Sequence, residues 1–285
     1  MPAVSVVLPV FNAERFLREA IDSVLNQRFN DFEVIAIDDG STDGSPGILN
    51  DYASRDARLR VYRQAHRALP ATLNFGCALA ESPYIARMDA DDIASPDRFA
   101  RQIEFLQKHP RVAILGTQLE RIREDGSHLD GTNVPLEHTE IAAHIQEFCC
   151  MHHPTVMMRT EALRALGGYR EAFIAAEDYD LWLRAAECFQ LANLPDRLLR
   201  YRIHAQTTSF QKLEQQVISA LAADASARLR RTGEFDIFAA MTSITRGTLR
   251  DAGVTDADID RSLRQAEDWY RARGIGLAEP VGAAK

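Results

Sequence analysis

Short apolar runs alternate with segments of helical spacing over the first part of the chain. Val4–Val10 is a nearly continuous apolar run rich in β-branched residues, which is typical of a strand buried on both faces of a sheet. Apolar residues then recur at helical spacing over residues 16–25, and the alternation continues through strand patterns at residues 33–37, 59–62 and 84–88. This order predicts an α/β fold with a Rossmann-like, mainly parallel and doubly wound sheet.

The pattern changes toward the C-terminus. Beyond residue 210 the apolar positions have helical spacing only, and they predict helices over residues 217–229, 235–249 and 259–270. We therefore expect a sheet-containing domain over residues 1–210 and a helical C-terminal region over residues 211–285. The pattern leaves open whether these helices pack on the sheet domain, form a homodimer or contact a membrane.

Acidic residues collect where the predicted strands end. Asp38 and Asp39 follow the second strand. Asp89, Asp91 and Asp92 follow the fourth. Because ligands of such sheets bind beyond the carboxyl ends of the strands, these five carboxylates are expected to share one edge of the sheet. Placing so many like charges together is costly unless a cation neutralises them, so the sequence predicts a bound cation there.

Two of these acidic segments suit particular ligands. Acids spaced as in Asp89-Ala90-Asp91 can place oxygen ligands around a hard divalent cation that also binds phosphate. A carboxylate at Asp39 can accept the ring N–H of a base or a ribose hydroxyl, and Gly40 permits a tight turn there. A plain alternative stays open for each segment: a solvated acidic loop for the first and an Asx-type turn for the second.

A third acidic segment, residues 177–180 with the sequence Glu-Asp-Tyr-Asp, begins a predicted helix. A carboxylate at this place can act as a base toward an alcohol, provided that it reaches the attacking hydroxyl. Acids are also common at helix N-termini because the helix dipole favours them there, so spacing alone leaves both interpretations open. His153 and His204 are similarly either ligands or core histidines.

Composition and charge narrow the classes of function. Of the 285 residues, 46% are hydrophobic and 26% are charged, so a folded globular protein is expected. The formal net charge of -8 argues against a nucleic-acid partner, whose phosphates need clustered Lys and Arg. Without a basic leader or a run of ~20 apolar residues, we expect a cytoplasmic protein, with peripheral contact at the inner membrane face left open. The cysteines lack CxxC spacing and are expected to be reduced thiols: Cys77, Cys149, Cys150 and Cys188.

The loop after the first strand lacks the glycine patterns of common nucleotide-binding folds. Pro9-Val10-Phe11-Asn12 stands where a Rossmann dinucleotide site would have G-x-G-x-x-G, and the chain has no P-loop motif. If a nucleotide binds at this edge, it is therefore not held by a glycine cradle.

Taken together, these segments resemble the family 2 glycosyltransferases, which have the GT-A nucleotide-sugar-binding fold. The resemblance covers roughly residues 3–210, and its specificity lies in several motifs that occur in the right order. The motifs are Val6-Val7-Leu8-Pro9-Val10-Phe11-Asn12, Ser23-Val24-Leu25-Asn26-Gln27, Asp38-Asp39-Gly40-Ser41-Thr42-Asp43, Tyr84-Ile85-Ala86-Arg87-Met88-Asp89-Ala90-Asp91-Asp92, Ala176-Glu177-Asp178-Tyr179-Asp180-Leu181-Trp182 and Tyr201-Arg202-Ile203-His204.

The resemblance implies a role for each matching residue. Residues 1–110 would be the nucleotide-sugar-binding half of the domain, and residues 111–210 the acceptor-side half. The donor site would comprise Pro9, Phe11, Asn12, Glu14, Asp39, Arg67, Asn74, Asp89 and Ala90. The ligands of Mg2+ or Mn2+ would be Asp91, Asp89 and His204. The catalytic residues would be Asp178 as general base and Glu177, with His153 and Trp182 on the acceptor side. The chain departs from the common family pattern over residues 66–70, where many relatives have a glycine-containing loop.

The resemblance implies a metal-dependent, inverting transfer of a sugar from a nucleotide-sugar donor, by family default a UDP-sugar, to a hydroxyl of a glycan or lipid-linked acceptor. The chain lacks the membrane helices and the Gln-x-x-Arg-Trp motif of processive synthases in this family, which favours single additions. Two alternatives remain at this stage. One is a nucleotidyltransferase that makes the activated sugar, and the other is a catalytically silent binding protein of the same fold.

Overall fold

The computed structural model describes residues 1–204 and 211–273. The strands are β1 (Val4–Val10), β2 (Phe32–Asp38), β3 (Leu59–Arg63), β4 (Tyr84–Arg87), β5 (Ile93–Ala94), β6 (Val112–Arg123), β7 (His128–Gly131), β8 (Met157–Arg159) and β9 (Gln190–Ile203). The helices are α1 (Leu17–Leu25), α2 (Ser45–Arg55), α3 (Leu69–Leu79), α4 (Arg98–Lys108), α5 (His138–His144), α6 (Thr160–Ala165), α7 (Glu177–Cys188), α8 (Leu213–Thr232), α9 (Arg246–Asp251) and α10 (Asp256–Arg271). Within these residues, no helix is both long enough and apolar enough to cross a membrane.

β1 is buried along its whole length because helices cover both of its faces. On one face, Leu8 shares a buried apolar cluster with Leu17 of α1. On the other face, Val7 lies so close to α3 that a Cβ on Gly76 would come within 2.7 Å of Val7 Cγ1. The continuous apolar run of β1 therefore reflects a strand covered from both sides, as the sequence pattern predicts.

The strand order is β3-β2-β1-β4-β8-β6-β9-β5, with β7 beside β6. The strands β3, β2, β1 and β4 are parallel to one another, and β6 is parallel to β9. β8 is antiparallel to both β4 and β6. The α/β class and a parallel-rich sheet are confirmed. β5 is antiparallel to β9 and β7 to β6, and the sequence pattern did not predict the direction of these strands or of β8.

Two predicted elements differ from the structure. The apolar pattern predicts a last strand over residues 198–203 only, but β9 begins at Gln190 and passes through Pro195 with a shift of register against β6. The helix predicted over residues 235–249 is wrong in extent, since only Arg246–Asp251 is helical, with Thr245 forming a capping box at its start. All four cysteines are free thiols, as predicted.

The chain forms two compact units. The first comprises residues 1–170 and 181–203, and it contains the whole sheet. The second comprises residues 171–180 together with the helices α8 to α10. Residue 210, where the sequence predicts a domain boundary, lies outside the described residues.

The second unit has a core and ion pairs of its own. Arg246 of α9 lies 2.9 Å from a Glu214 oxygen of α8 and 3.0 Å from an Asp260 oxygen of α10. The rings of Phe173 and Phe238 are both fully buried, with centroids 6.4 Å apart. Residues 171–180 thus belong to the core of the helical unit, although they come between α6 and α8 in the sequence.

Asp224 of α8 is a half-buried acid whose titration affects stability. Burial raises the pKa of its carboxyl from the ordinary 3.8 to about 6, although Tyr179 and Arg231 act in the opposite direction. A carboxyl with a raised pKa binds its proton more tightly in the folded than in the unfolded chain. Stability therefore falls as the pH rises from 3.8 to 6, and the loss is complete above 6.

We accordingly expect Asp224→Asn to stabilise the protein at pH 8, by up to about 3 kcal/mol, because it removes a buried charge. The gain should disappear near pH 4, where the folded wild type is already protonated at this position. Thermal unfolding of both proteins at the two pH values checks this. An equal difference in melting temperature at pH 4 and pH 8 would contradict the raised pKa.

Candidate active site

The loops that follow β1, β2 and β4 leave the sheet at the same edge. Val10 at the end of β1 is paired with Asp38 at the end of β2, and Arg87 at the end of β4 is paired with Val7. All three strands are parallel, so the residues after them extend beyond one edge. Asp39 is the first residue after β2, and Asp89 is the second residue after β4. Both follow strands that end at this edge, as the sequence predicts.

Side chains tie the loop after β1 to the loop after β2. Asn12, which has a left-handed φ of 49°, donates its backbone N–H to Ser41 Oγ at 3.0 Å and accepts the Thr42 N–H on Oδ1 at 2.8 Å. Glu14 accepts the Gly44 N–H at 2.7 Å. Asn12 and Glu14 therefore fix the loop after β2 through hydrogen bonds to residues of that loop.

The Asp39 carboxylate lies at the base of these loops, only 3% exposed. Its Oδ1 accepts hydrogen bonds from Gln64 Nε2 at 2.7 Å and from the Arg67 backbone N–H at 3.0 Å, and its Oδ2 lies 2.9 Å from His66 Nδ1. A Cβ on Gly40, which has a φ of +80°, would come within 2.9 Å of the backbone nitrogen of His66, so glycine is required there. Asp39 is thus a fixed acceptor with lone-pair capacity left on Oδ2.

An aromatic surface adjoins Asp39. The Phe11 ring stacks on the His66 ring with centroids 4.1 Å apart and planes 23° apart, and 47% of Phe11 is exposed. Pro9 lies inside β1, and the Arg67 side chain is exposed. The sequence motifs did not single out His66, because it lies in the segment that departs from the family pattern.

Three carboxylates converge after β4. One oxygen from each of Asp89, Asp91 and Asp92 lies within 4.8 Å of the others. Asp92 is completely buried, and its Oδ2 has no hydrogen-bond partner among the described residues. Ala90 between them belongs to the buried apolar cluster. Hard oxygen ligands, one of them a buried and unpaired carboxylate oxygen, fit a divalent cation such as Mg2+ or Mn2+.

The pKa values of Asp89 and Asp92 are raised by burial and by the neighbouring acids. Burial and the neighbouring Asp91 raise the pKa of Asp89, although Arg87, its ion-pair partner, acts in the opposite direction. Burial, with the charges of Asp91 and Asp89, raises the pKa of Asp92 well above its usual range. A divalent cation at this place would relieve the repulsion that raises both pKa values.

A fully buried arginine from α4 supports the loop. Arg98 donates to the Arg87 carbonyl at 2.7 Å, and its charge acts on Asp89 and Asp92. Burial and the neighbouring Arg87 lower the pKa of Arg98 to about 9, so the guanidinium remains charged at neutral pH. The positive charge that acts on the acidic loop therefore comes from an arginine inside the protein.

Arg202 of β9 fixes the acidic loop from the other side. Its backbone N–H donates to Asp92 Oδ1 at 2.8 Å, and its Nε donates to the Asp91 carbonyl at 3.0 Å. Its guanidinium also forms an ion pair with Glu19 and lies 4.6 Å from the centre of the Phe16 ring. Arg202 stands in one of the family motifs, but the sequence reasoning gave the functional role there to His204.

His153 and Trp182 lie together in the first unit. Their rings meet edge to face with centroids 5.8 Å apart, and His153 Nε2 is 2.9 Å from the Tyr169 hydroxyl. Burial and the charge of Arg87 lower the pKa of His153 well below 6.5, so its ring is neutral at pH 7. The Asn74 side chain makes two hydrogen bonds to the backbone of Tyr169. Its Nδ2 donates to the carbonyl at 2.8 Å, and its Oδ1 accepts the N–H at 2.9 Å.

The predicted base belongs to the second unit. Asp178 is the second residue of α7 and half-buried, and its Oδ1 accepts the backbone N–H of Tyr179 at 2.7 Å. Glu177 beside it is buried, and His204 is half-buried. Both are in the second unit. The approach of Asp178, Glu177 and His204 to the carboxylates after β4 stays a prediction.

Comparison with known proteins decides the family. A family model described as glycosyl transferase family 2 matches residues 5–167, more than half of the chain. The chain belongs to glycosyl transferase family 2. A relative from Escherichia coli, the O-antigen biosynthesis glycosyltransferase WbnJ, is 32% identical over 209 residues, which cover 72% of this chain and 81% of that protein. The sequence prediction of a family 2 glycosyltransferase is confirmed.

Solved structures show the fold of this family 2 enzyme. A crystal structure of S. aureus TarS, residues 1–349, in complex with UDP-GlcNAc matches with a TM-score of 0.61 and 18% identity, and covers 94% of this chain and 91% of that one. The mannosyltransferase PcManGT from Pyrobaculum calidifontis, in complex with GDP-Man and Mn2+, matches with a TM-score of 0.60 and 16% identity, and covers 95% of this chain and 75% of that one. At these identities the likeness concerns the fold alone, and it confirms the predicted GT-A fold.

Proposed function

We propose that this glycosyltransferase moves one sugar, with inversion, from a UDP-sugar to a hydroxyl of a glycan or lipid-linked acceptor. In this proposal Asp89, Asp91 and Asp92 hold a divalent cation and Asp178 is the general base. The observation that carries the proposal is the meeting of three carboxylate oxygens within 4.8 Å at the sheet edge that also carries Asp39.

The donor site is proposed from the groups around Asp39. The exposed face of Phe11 offers a surface on which a planar base can stack. Asp39 Oδ2 can accept a base N–H, which both uracil and guanine offer. UDP is the default donor nucleotide of the family, and the structural neighbour TarS has UDP-GlcNAc bound. PcManGT has GDP-Man, whose guanine offers an N–H of the same kind.

The metal site is proposed from the fit of the acidic cluster. Asp91 and Asp89 would provide ligand oxygens from half-buried side chains, Asp92 would provide the fully buried one, and His204 would be a further ligand. A bound cation would offset the charge that develops on the departing diphosphate. The presence of Mn2+ in PcManGT supports a divalent cation of this kind.

The chemistry is a single displacement. Asp178 accepts the proton of the acceptor hydroxyl while the hydroxyl oxygen bonds to the anomeric carbon and the bond from that carbon to the diphosphate breaks. One displacement inverts the configuration at the anomeric carbon. A retaining mechanism through a covalent intermediate would instead need a carboxylate as nucleophile at the anomeric carbon.

The acceptor is proposed from what a relative is named for. The name of the relative WbnJ, an O-antigen biosynthesis enzyme, supports a surface glycan or its lipid-linked precursor as acceptor. His153 and Trp182 are proposed to line the acceptor side, and Glu177 to shape it. An enzyme in the cytoplasm that contacts the inner membrane face could reach such an acceptor. Dimerisation through the C-terminal helices is a separate proposal.

A binding and transfer experiment tests the function. We expect UDP to raise the melting temperature in the presence of Mn2+ and to do so much less in EDTA. A panel of UDP-glucose, UDP-galactose, UDP-GlcNAc and UDP-GalNAc with octyl glycosides as acceptors should then identify a pair that releases UDP. NMR of the product should show the anomeric configuration opposite to that of the donor. Retention of configuration, or UDP binding that is equal with and without metal, would overturn the proposal.

A further inference from the structure

The second unit holds the segment that carries Asp178 through a specific hydrogen bond. The hydroxyl of Tyr179, the next residue in the chain, donates to Asp224 Oδ1 on α8 at 2.6 Å. Tyr179 is only 9% exposed, and Asp224 is half-buried. The hydrogen bond is charge-assisted and partly shielded from water, which makes it stronger than an exposed one.

Tyr179 also contacts Asp178 through its backbone. The Tyr179 N–H donates to Asp178 Oδ1 at 2.7 Å, so the position of the Tyr179 main chain determines how the Asp178 carboxylate is oriented. The side chain and the backbone of one residue therefore connect α8 with the proposed base. The same segment enters the unit through Ala175, a non-glycine residue at φ 63°, and through the buried ring of Phe173.

We propose that Asp224 is a positioning residue for Asp178: it fixes the Tyr179 side chain and thereby the backbone N–H that orients the Asp178 carboxylate. The inference rests on the proposed function, because it takes Asp178 as the base. Through Asp224 of α8, the C-terminal helices would thereby take part in catalysis.

The choice of a carboxylate at this place supports positioning over packing alone. Burying a charged acid to hold one phenol hydroxyl costs stability, since an apolar contact of the same volume would not need to be desolvated. A short and directional acceptor, however, restrains the ring of Tyr179 more tightly than apolar contact does. Displacement of a catalytic group by about 1 Å can cost ~10²-fold in rate.

The test compares variants of the full chain, using the donor and acceptor pair found above and UDP with Mn2+ as the binding probe. Asp224→Ala and the near-isosteric Tyr179→Phe should each lower kcat ~10-fold or more, with the donor KM and the Kd for UDP changed less than ~2-fold. The double variant should be no slower than either single variant, because both remove the same hydrogen bond. Asp224→Asn keeps an oxygen that accepts from Tyr179 and should restore most of the lost kcat.

Arg246→Ala is the matched control. It removes the ion pairs that join α8, α9 and α10 in the same unit, without a bond to residues 171–180 among the described residues, and should leave kcat unchanged. The positioning role is overturned if Asp224→Ala and Tyr179→Phe keep kcat, if they lower it no more than Arg246→Ala, or if Asp224→Asn is as slow as Asp224→Ala. Asp178→Asn separates the two proposals: normal transfer by that variant refutes the base itself, whereas its inactivity beside fully active Asp224 and Tyr179 variants refutes only the positioning.

Discussion

Asp91→Ala is expected to abolish the metal-dependent binding of UDP, lowering the affinity measured with Mn2+ by ~10²-fold or more, as loss of a metal ligand does. The substitution takes away one of the three carboxylates whose oxygens meet after β4. Isothermal titration calorimetry of UDP with Mn2+ and with EDTA measures the effect. The affinity that remains should be the same in both buffers.

The control for this variant is Asp97→Ala. Asp97 lies just before α4 with an exposed carboxylate 2.6 Å from Arg28, and its loss should leave the binding of UDP unchanged. A second readout is the melting temperature without metal. Because Asp91 raises the pKa values of Asp89 and Asp92, its removal relieves repulsion and should not lower this temperature. Undiminished metal-dependent binding of UDP by Asp91→Ala would reject the proposed site.

Asp178→Asn is expected to lower kcat for transfer by ~10²-fold or more while the binding of UDP and Mn2+ persists. The amide keeps the size of the side chain and can still accept the Tyr179 N–H, but it cannot take up a proton at neutral pH. Initial rates with saturating donor and acceptor, together with calorimetry of UDP, separate the two effects. The change should appear in kcat rather than in the KM of the donor.

Glu171→Gln is the matched control for the base. Glu171 is an exposed acid of the same chain segment, so its neutralisation changes the charge of the segment equally without removing the proposed base. It should transfer sugar at the wild-type rate. If Asp178→Asn is also as fast as the wild type, Asp178 is not the base, and the reaction needs another acceptor of the proton.

The strand ends could be predicted from the sequence because two local signals coincide there. A buried parallel strand needs an unbroken apolar run such as Val4–Val10, and acids that directly follow such runs fall at the ligand-binding edge. The spacing of Asp89 and Asp91 allows their oxygens to meet, although the same spacing also fits a solvated acidic loop. That part of the site needed no knowledge of distant contacts.

The supporting contacts could not be predicted in this way. Arg202 binds Asp92 across more than a hundred residues of chain, and no local pattern connects the two. Residues 155–158 have a strand pattern, but no local pattern shows that β8 runs antiparallel to both β4 and β6. The hydrogen bond from Tyr179 to Asp224 likewise joins residues 45 positions apart, and no local pattern connects them. Such pairs are decided by tertiary packing, which periodicity does not encode.

The buried arginine beneath the acidic loop has a consequence for the enzyme between rounds of catalysis. In glycosyl transfer the nucleoside diphosphate must leave, and a cation that it binds can leave with it. Arg98, which donates to the Arg87 carbonyl, and Arg87, which pairs with Asp89, remain as a resident counter-charge of the protein. In the proposed mechanism these two arginines would therefore balance part of the charge of the three acids after the diphosphate and the cation have left.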